Sequence, residues 1–189
     1  MSALSIPLTH RKFTVDEYHS FIEQGVFRPE ERIELWEGEF IEMSPIGKRH
    51  AGVIAGLTAY LNHLFFQQFV IWAQNPIVLN DFSEPQPDIC VLQGRDDFYR
   101  NESATAADVL LVIEVADTSI KFDRDVKFPR YAASGIRESW LVDLENERVE
   151  IHSEPTAMGY SLIKVFHRGQ TAESSILPPI KLAVEEILG

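Results

Sequence analysis

The chain has 189 residues, 45% hydrophobic and 24% charged, a balance that suits one globular domain and excludes wholesale disorder. Its formal net charge of −12 excludes a uniformly basic nucleic-acid binder, so any face for phosphates must be local. No apolar run approaches the roughly 20 residues of a membrane span, residues 1–13 lack a signal-peptide core, and the single cysteine, Cys90, reads as a buried strand thiol; a reducing, cytoplasmic setting is expected.

Residues 14–25, TVDEYHSFIEQG, open with a capping box of Thr14 and Glu17 and predict a helix with Tyr18, Phe21 and Ile22 on one face. RIELWEGEFIEMSP (32–45) reads as two short strands around Glu37-Gly38-Glu39, with Gly38 supplying the positive φ of a tight turn. The spacing of Val53, Ile54, Leu57, Leu61, Leu64 and Phe65 predicts a helix over 50–69, in which Gly52 and Gly56 suggest close packing on a sheet. VIWAQNPIVLN (70–80) reads as a strand, and Pro76 inside it points to an edge or a bulge. A strand entered through Pro87 follows over 86–94, then a polar loop over 94–108 with the composition of a mobile segment, then an apolar strand over 109–116. DRDVKFPRYAASG (123–135) predicts a helix capped by Asp125, kinked by Pro129 and ended by Gly135. A hairpin over 138–155 turning at Glu145-Asn146-Glu147, a strand over 159–169 and a short helix over 182–188 follow. Mixed rather than strictly alternating, this order predicts a single α/β (α+β) domain over 1–189, with a mixed central sheet flanked by helices. Trp36, Trp72 and Trp140 read as core.

The residues that carry chemistry stand out against this frame. Glu114 interrupts the apolar strand DVLLVIEVADTS (108–119), where an unpartnered charge costs several kcal/mol or more to bury. Asp88 stands on the other strongly apolar strand. If the two strands are neighbours their carboxylates converge, and they repel unless one is protonated or a cation lies between them. A hard divalent cation, Mg²⁺ or Mn²⁺, resolves that conflict with oxygen ligands. The histidines at 10, 19, 50, 63, 152 and 167 show no paired zinc motif. Lys127, on the helix that follows Glu114, can point back to the strand end. Residues 121–137 carry Lys121, Arg124, Lys127, Arg130 and Arg137 against Asp123 and Asp125, a local excess of three positive charges. That is either a nucleic-acid face or an ordinary charged helix face.

QPDICVL and, with Glu114 26 positions after Asp88, LLVIEVADTS resemble the PD-(D/E)XK nuclease superfamily, with its restriction-endonuclease-like αβββαβ core. RIELWEGEFIEMSP, VIEVADTS and above all DRDVKFPRYAASGIRESWLVD are similar to the bacterial Uma-two family, over roughly residues 14–152. The superfamily pattern needs lysine two residues after Glu114, where this chain has Ala116. The Uma-two family shows a similar loss and carries its lysine on the following helix, which matches Lys127. The resemblance thus implies Asp88 and Glu114 as metal ligands and Lys127 as the catalytic lysine. It also implies the Val115 carbonyl and Glu34 near the metal. Asp123 and His50 are expected in supporting roles, His50 at the surface or at its helix start. Lys121, Arg124 and Arg130, with the loop 94–108, are expected at the nucleic-acid backbone.

The function so implied is a Mg²⁺- or Mn²⁺-dependent endonuclease acting on DNA, with no membrane partner and with a symmetric homodimer as one way to cut two strands. Two readings compete with it. One is a nuclease-like fold without activity, used for binding or as a partner subunit, in which Glu114 and Lys127 are a buried structural ion pair. The other is a different metal-dependent hydrolysis at the same carboxylates.

Overall fold

The computed structural model describes residues 10–28 and 30–189. Helix α1 (Val15–Glu23) starts on the expected capping box, with Thr14 Oγ1 accepting from Glu17 N and Glu17 accepting from Thr14 N. It covers a hairpin of β1 (Ile33–Trp36) and β2 (Glu39–Glu42), burying Val15 and Tyr18 against Leu35. The turn has Glu37 at φ 49° and Gly38 at φ 81°, the double positive φ that lets a two-residue turn follow strand twist. A Cβ on Gly38 would stand 2.5 Å from Lys12 Cβ, so the turn needs glycine for space as well as for φ.

The centre is a six-stranded mixed sheet in the order β3-β4-β5-β6-β7-β8. Its strands are β3 (Phe69–Ala73), β4 (Ile89–Gln93), β5 (Val109–Ala116), β6 (Glu138–Asp143), β7 (Arg148–Thr156) and β8 (Gly159–His167). All neighbours are antiparallel except β5 and β6. A parallel pair needs a crossover, and here it is a helical run: α3 (Ile120–Phe122), a π-helical turn (Asp123–Lys127) and α4 (Phe128–Ala133).

Apart from Glu114, strand β5 is apolar because both of its faces are covered. Leu111, Ile113 and Val115 face α2 (Lys48–Leu64) and the terminal α5 (Val184–Leu188). Val112 and Ala116 face the other way, toward Phe128 and Tyr131 of α4, and alternation puts Glu114 on that same face. β9 (Thr171–Glu173) and β10 (Lys181–Ala183) form a separate two-stranded ladder that the sequence pattern does not announce.

Several local expectations change. The strand expected over 70–80 stops at Ala73, on the sheet edge; beyond Pro76 the chain bonds instead to residues 83–85 and 104–106, as in Ile77 N to Pro85 O and Val78 N to Ala104 O. The crossover helix begins at Ile120 rather than at Asp125, which lies exposed inside the π-helical turn. Pro129 has no N–H to donate and its ring crowds the preceding turn. The kink expected there takes the form of that turn, closed by Phe128 N donating to Asp123 O. Gly52 and Gly56 have nothing within 4 Å of where a Cβ would stand, so they do not serve close packing. Trp36 and Trp140 are core as expected, while Trp72 is only half-buried on edge strand β3. No helix among the described residues is long and apolar enough to cross a membrane.

Candidate active site

Asp88 is the residue that leads into β4, and Glu114 lies in the neighbouring β5. The register Ile89↔Ile113 brings them side by side at one sheet end. Asp88 N donates to Glu114 Oε2 at 3.3 Å, and Asp88 Oδ2 accepts from Val115 N at 2.9 Å. Backbone amides thus fix both carboxylates. Glu114 Oε1 accepts from Tyr131 Oη at 2.6 Å and from Lys127 Nζ at 3.2 Å.

Lys127 is buried among acids. Its Nζ also stands 3.6 Å from Asp123 Oδ1 and 3.8 Å from Glu34 Oε1. The wide π-helical turn points both Asp123 and Lys127 inward. Ser119 Oγ donates to Asp123 Oδ2 and Trp36 Nε1 donates to Glu34 Oε2. The Tyr131 hydroxyl comes from α4, one turn after Lys127.

His50, near the start of α2, closes the cluster, with Nε2 3.0 Å from Asp88 Oδ2. Only 13% of its side chain is exposed, so it is a cleft residue rather than a surface or capping one. Its Nδ1 is buried without a partner among the described residues. Glu34, Asp88, Glu114 and Asp123 therefore face one ammonium and one imidazole. Burial pushes the Glu114 carboxyl up to about 8, helped by the charges of Asp88 and Asp123 and opposed by Lys127 and the Tyr131 bond. Burial alone would discharge Lys127, but the surrounding carboxylates, Glu114 first, raise it and keep it charged. For His50, burial and the Arg32 charge oppose protonation; the bond and charge of Asp88, with the Val115 backbone, outweigh them and raise it.

The cluster opens into a cleft of about 430 Å³ walled by the β1–β2 hairpin, the start of α2 and the segment 117–119. All seven of Glu34, His50, Asp88, Glu114, Val115, Asp123 and Lys127 line it. Lys121, Arg124 and Arg130 do not. Arg124 forks onto Glu150 at 2.6 and 3.1 Å, Arg130 pairs with Glu37 at 2.8 Å, and Lys121 is exposed outside the cleft. Most of the local excess of positive charge is therefore spent inside the protein.

Two residues at the site escape the sequence reading, Tyr131 buried behind Glu114 and Arg32 on the cleft wall. Tyr131 follows Lys127 by four positions, so helix spacing could have paired them. Arg32 precedes Glu34 by two, so strand alternation could have placed both on one face.

Among the described residues, no three His, Cys, Asp or Glu side chains stand as a ready-made metal cage. The donors present are nonetheless hard oxygens. Asp88 and Glu114 suit a cation that keeps several waters and takes one or two protein carboxylates, as Mg²⁺ does.

Comparison with known proteins agrees with this architecture. A solved structure described as a "putative nuclease belonging to DUF820 from Anabaena variabilis ATCC 29413" matches with a TM-score of 0.71. The match covers 93% of this chain and 97% of that one at 16% identity, which shows a shared fold, the restriction-endonuclease-like one. No curated protein matches the chain. The model of the Uma2 family, described as "Putative restriction endonuclease", matches residues 15–185, and the chain belongs to that family.

Proposed function

We propose that the chain is a divalent-metal-dependent nuclease that hydrolyses phosphodiester bonds in DNA as an endonuclease. One observation carries the reading: four carboxylates converge on one lysine and one histidine at the foot of an open cleft. A cluster so short of positive charge is costly to keep and suits a cation. The family supports the same chemistry.

Asp88 and Glu114 would hold Mg²⁺ or Mn²⁺, with the Val115 carbonyl and Glu34 beside them. The ion would polarise a phosphoryl oxygen and acidify a water. His50 orients Asp88, and Tyr131 fixes Glu114. Lys127 supplies a charged donor to the phosphoryl oxygens or to the attacking water as charge develops. Asp123 holds Lys127 in place. Of the basic residues of 121–137, Arg124, Lys127 and Arg130 are tied into acid pairs. Lys121 is in no ion pair among the described residues, and it remains the candidate backbone contact there.

One observation favours a second reading. Lys127 Nζ stands between 3.2 and 3.8 Å from three carboxylates, where it acts as a resident counter-ion. An inactive binding fold would use it in that way alone. Calorimetry with Mn²⁺ on the wild type and on Asp88→Ala separates the two. Binding that disappears in the variant supports the enzyme; no binding to either protein supports the scaffold. Loss of Mg²⁺-dependent DNA cleavage in a folded Lys127→Ala variant then assigns the lysine.

A further inference from the structure

Six carboxylates line the cleft: Glu34, Glu42, Asp88, Glu114, Asp117 and Asp123. A polyanion entering it needs a cation that these acids have not already taken. Lys127 is engaged by three of them and His50 by Asp88. Arg32 is different. It lines the same cleft, yet among the described residues its guanidinium is in no ion pair; its one bond is from Nη1 to the Ser44 carbonyl at 3.3 Å.

Its position has a simple cause. The Arg32 carbonyl accepts from Met43 N, so Arg32 continues the pleat one residue ahead of β1. Alternation then turns Ile33 and Leu35 to the α1 side, and Arg32 and Glu34 to the cleft. Glu34 reaches Lys127 at the floor, and Arg32 stands about 7 Å along the strand from it. The planar fork of arginine matches two phosphate oxygens at once, which lysine cannot do.

We propose that Arg32 is a substrate-positioning residue that binds a backbone phosphate next to the one a cation at Asp88 and Glu114 would engage. This rests on the nuclease reading for its substrate, but the arginine's readiness for a phosphate stands on geometry alone. Of the basic residues that line the cleft, Lys127 and His50 are already engaged by carboxylates, which leaves Arg32 for that task. One arginine therefore controls a large part of the affinity.

The test is fluorescence anisotropy of fluorescein-labelled single-stranded and duplex DNA oligonucleotides. Ca²⁺ replaces Mg²⁺, and salt is varied for wild type, Arg32→Ala, Arg32→Lys and Lys164→Ala. Lys164 is an exposed residue of edge strand β8 and serves as the control. Arg32→Ala should weaken binding about tenfold and lower the salt slope by about 1. Arg32→Lys should keep the slope and lose part of the affinity. Lys164→Ala should match wild type. Equal binding by wild type and Arg32→Ala overturns the proposal.

If wild type binds neither oligonucleotide, inorganic phosphate is titrated while the Arg32 Nε–H resonance is followed. A saturable shift supports the phosphate subsite, and no shift overturns it. Binding that depends on Arg32 without any cleavage in Mg²⁺ would remove the nuclease reading and leave the subsite standing.

Discussion

Lys127 Nζ lies 3.2 Å from Glu114 Oε1, with each side chain no more than 4% exposed. The two are 13 positions apart, on the strand and on the crossover that returns from it. A buried pair of this kind is a weak stabiliser against an apolar alternative, while removing one member strands the other's charge. Its presence at the foot of a cleft is better explained by chemistry than by stability.

Removing the lysine alone should therefore be costly. Lys127→Ala is expected to lose about 3–5 kcal/mol in urea denaturation, since Glu114 is left buried and unpaired. The pair variant Lys127→Met with Glu114→Gln should lose clearly less than the single change. Equal losses would show that packing, not charge, holds the site together.

Tyr131 donates to the same Glu114 oxygen at 2.6 Å from full burial. Tyr131→Phe removes only that hydroxyl. A hydrogen bond is worth about 0.5–1.5 kcal/mol to a neutral acceptor and about 1.5–3 kcal/mol to a charged one. With the Glu114 carboxyl pushed up to about 8, the drop in equilibrium unfolding should rise from the first range at neutral pH to the second above pH 8. No measurable drop would mean that the hydroxyl does not bear on Glu114 in solution.

In the proposed metal site, His50 would bear on affinity through Asp88, which it touches at 3.0 Å. Partners that orient a ligating group typically change affinity by about 10–100-fold when lost. His50→Ala should weaken Mn²⁺ binding by such a factor in calorimetry while leaving the unfolding midpoint of the metal-free protein little changed. Unaltered affinity would separate His50 from the site.

Acid stability should report a different cluster. Glu150 is held at about 2, below its ordinary 4.5; burial would raise it, but bonds from His152 and Arg124 and the charges of Arg124 and Arg148 outweigh that. Because the folded value is the lower one, its stabilisation is fully present above pH 4.5 and is lost as pH falls toward 2. Urea denaturation of wild type and Glu150→Gln should differ at pH 6 and converge as the pH approaches 2. A constant difference across that range would rule out this titration.

The amino-acid pattern by itself determined what depends on near neighbours. The capping box of α1, the Glu37-Gly38 turn, the periodicity of α2 and the two-sided apolarity of β5 are local signals, and each lies where the sequence puts it. That Asp88 and Glu114 lie together was legible because carboxylates on strongly apolar strands have few bland explanations, and Lys127 was legible as a lysine of the following helix able to point back at them. Where the sequence reading slipped, the deciding partner lay far along the chain. The strand expected over 70–80 stops at Ala73 because residues 83–85 and 104–106 offer the segment after Pro76 other bonds.

Tertiary structure alone decided which charges are spoken for. Arg124 and Arg130 read as a basic face until Glu150, 26 positions on, and Glu37, 93 positions back, claim them. His50 read as a surface residue until α2 set it on Asp88, 38 positions away. Composition counts charges, but a side chain's availability depends on which opposite charge the fold brings within a few ångströms, and the Coulomb energy of that choice falls off with distance in space, not in sequence.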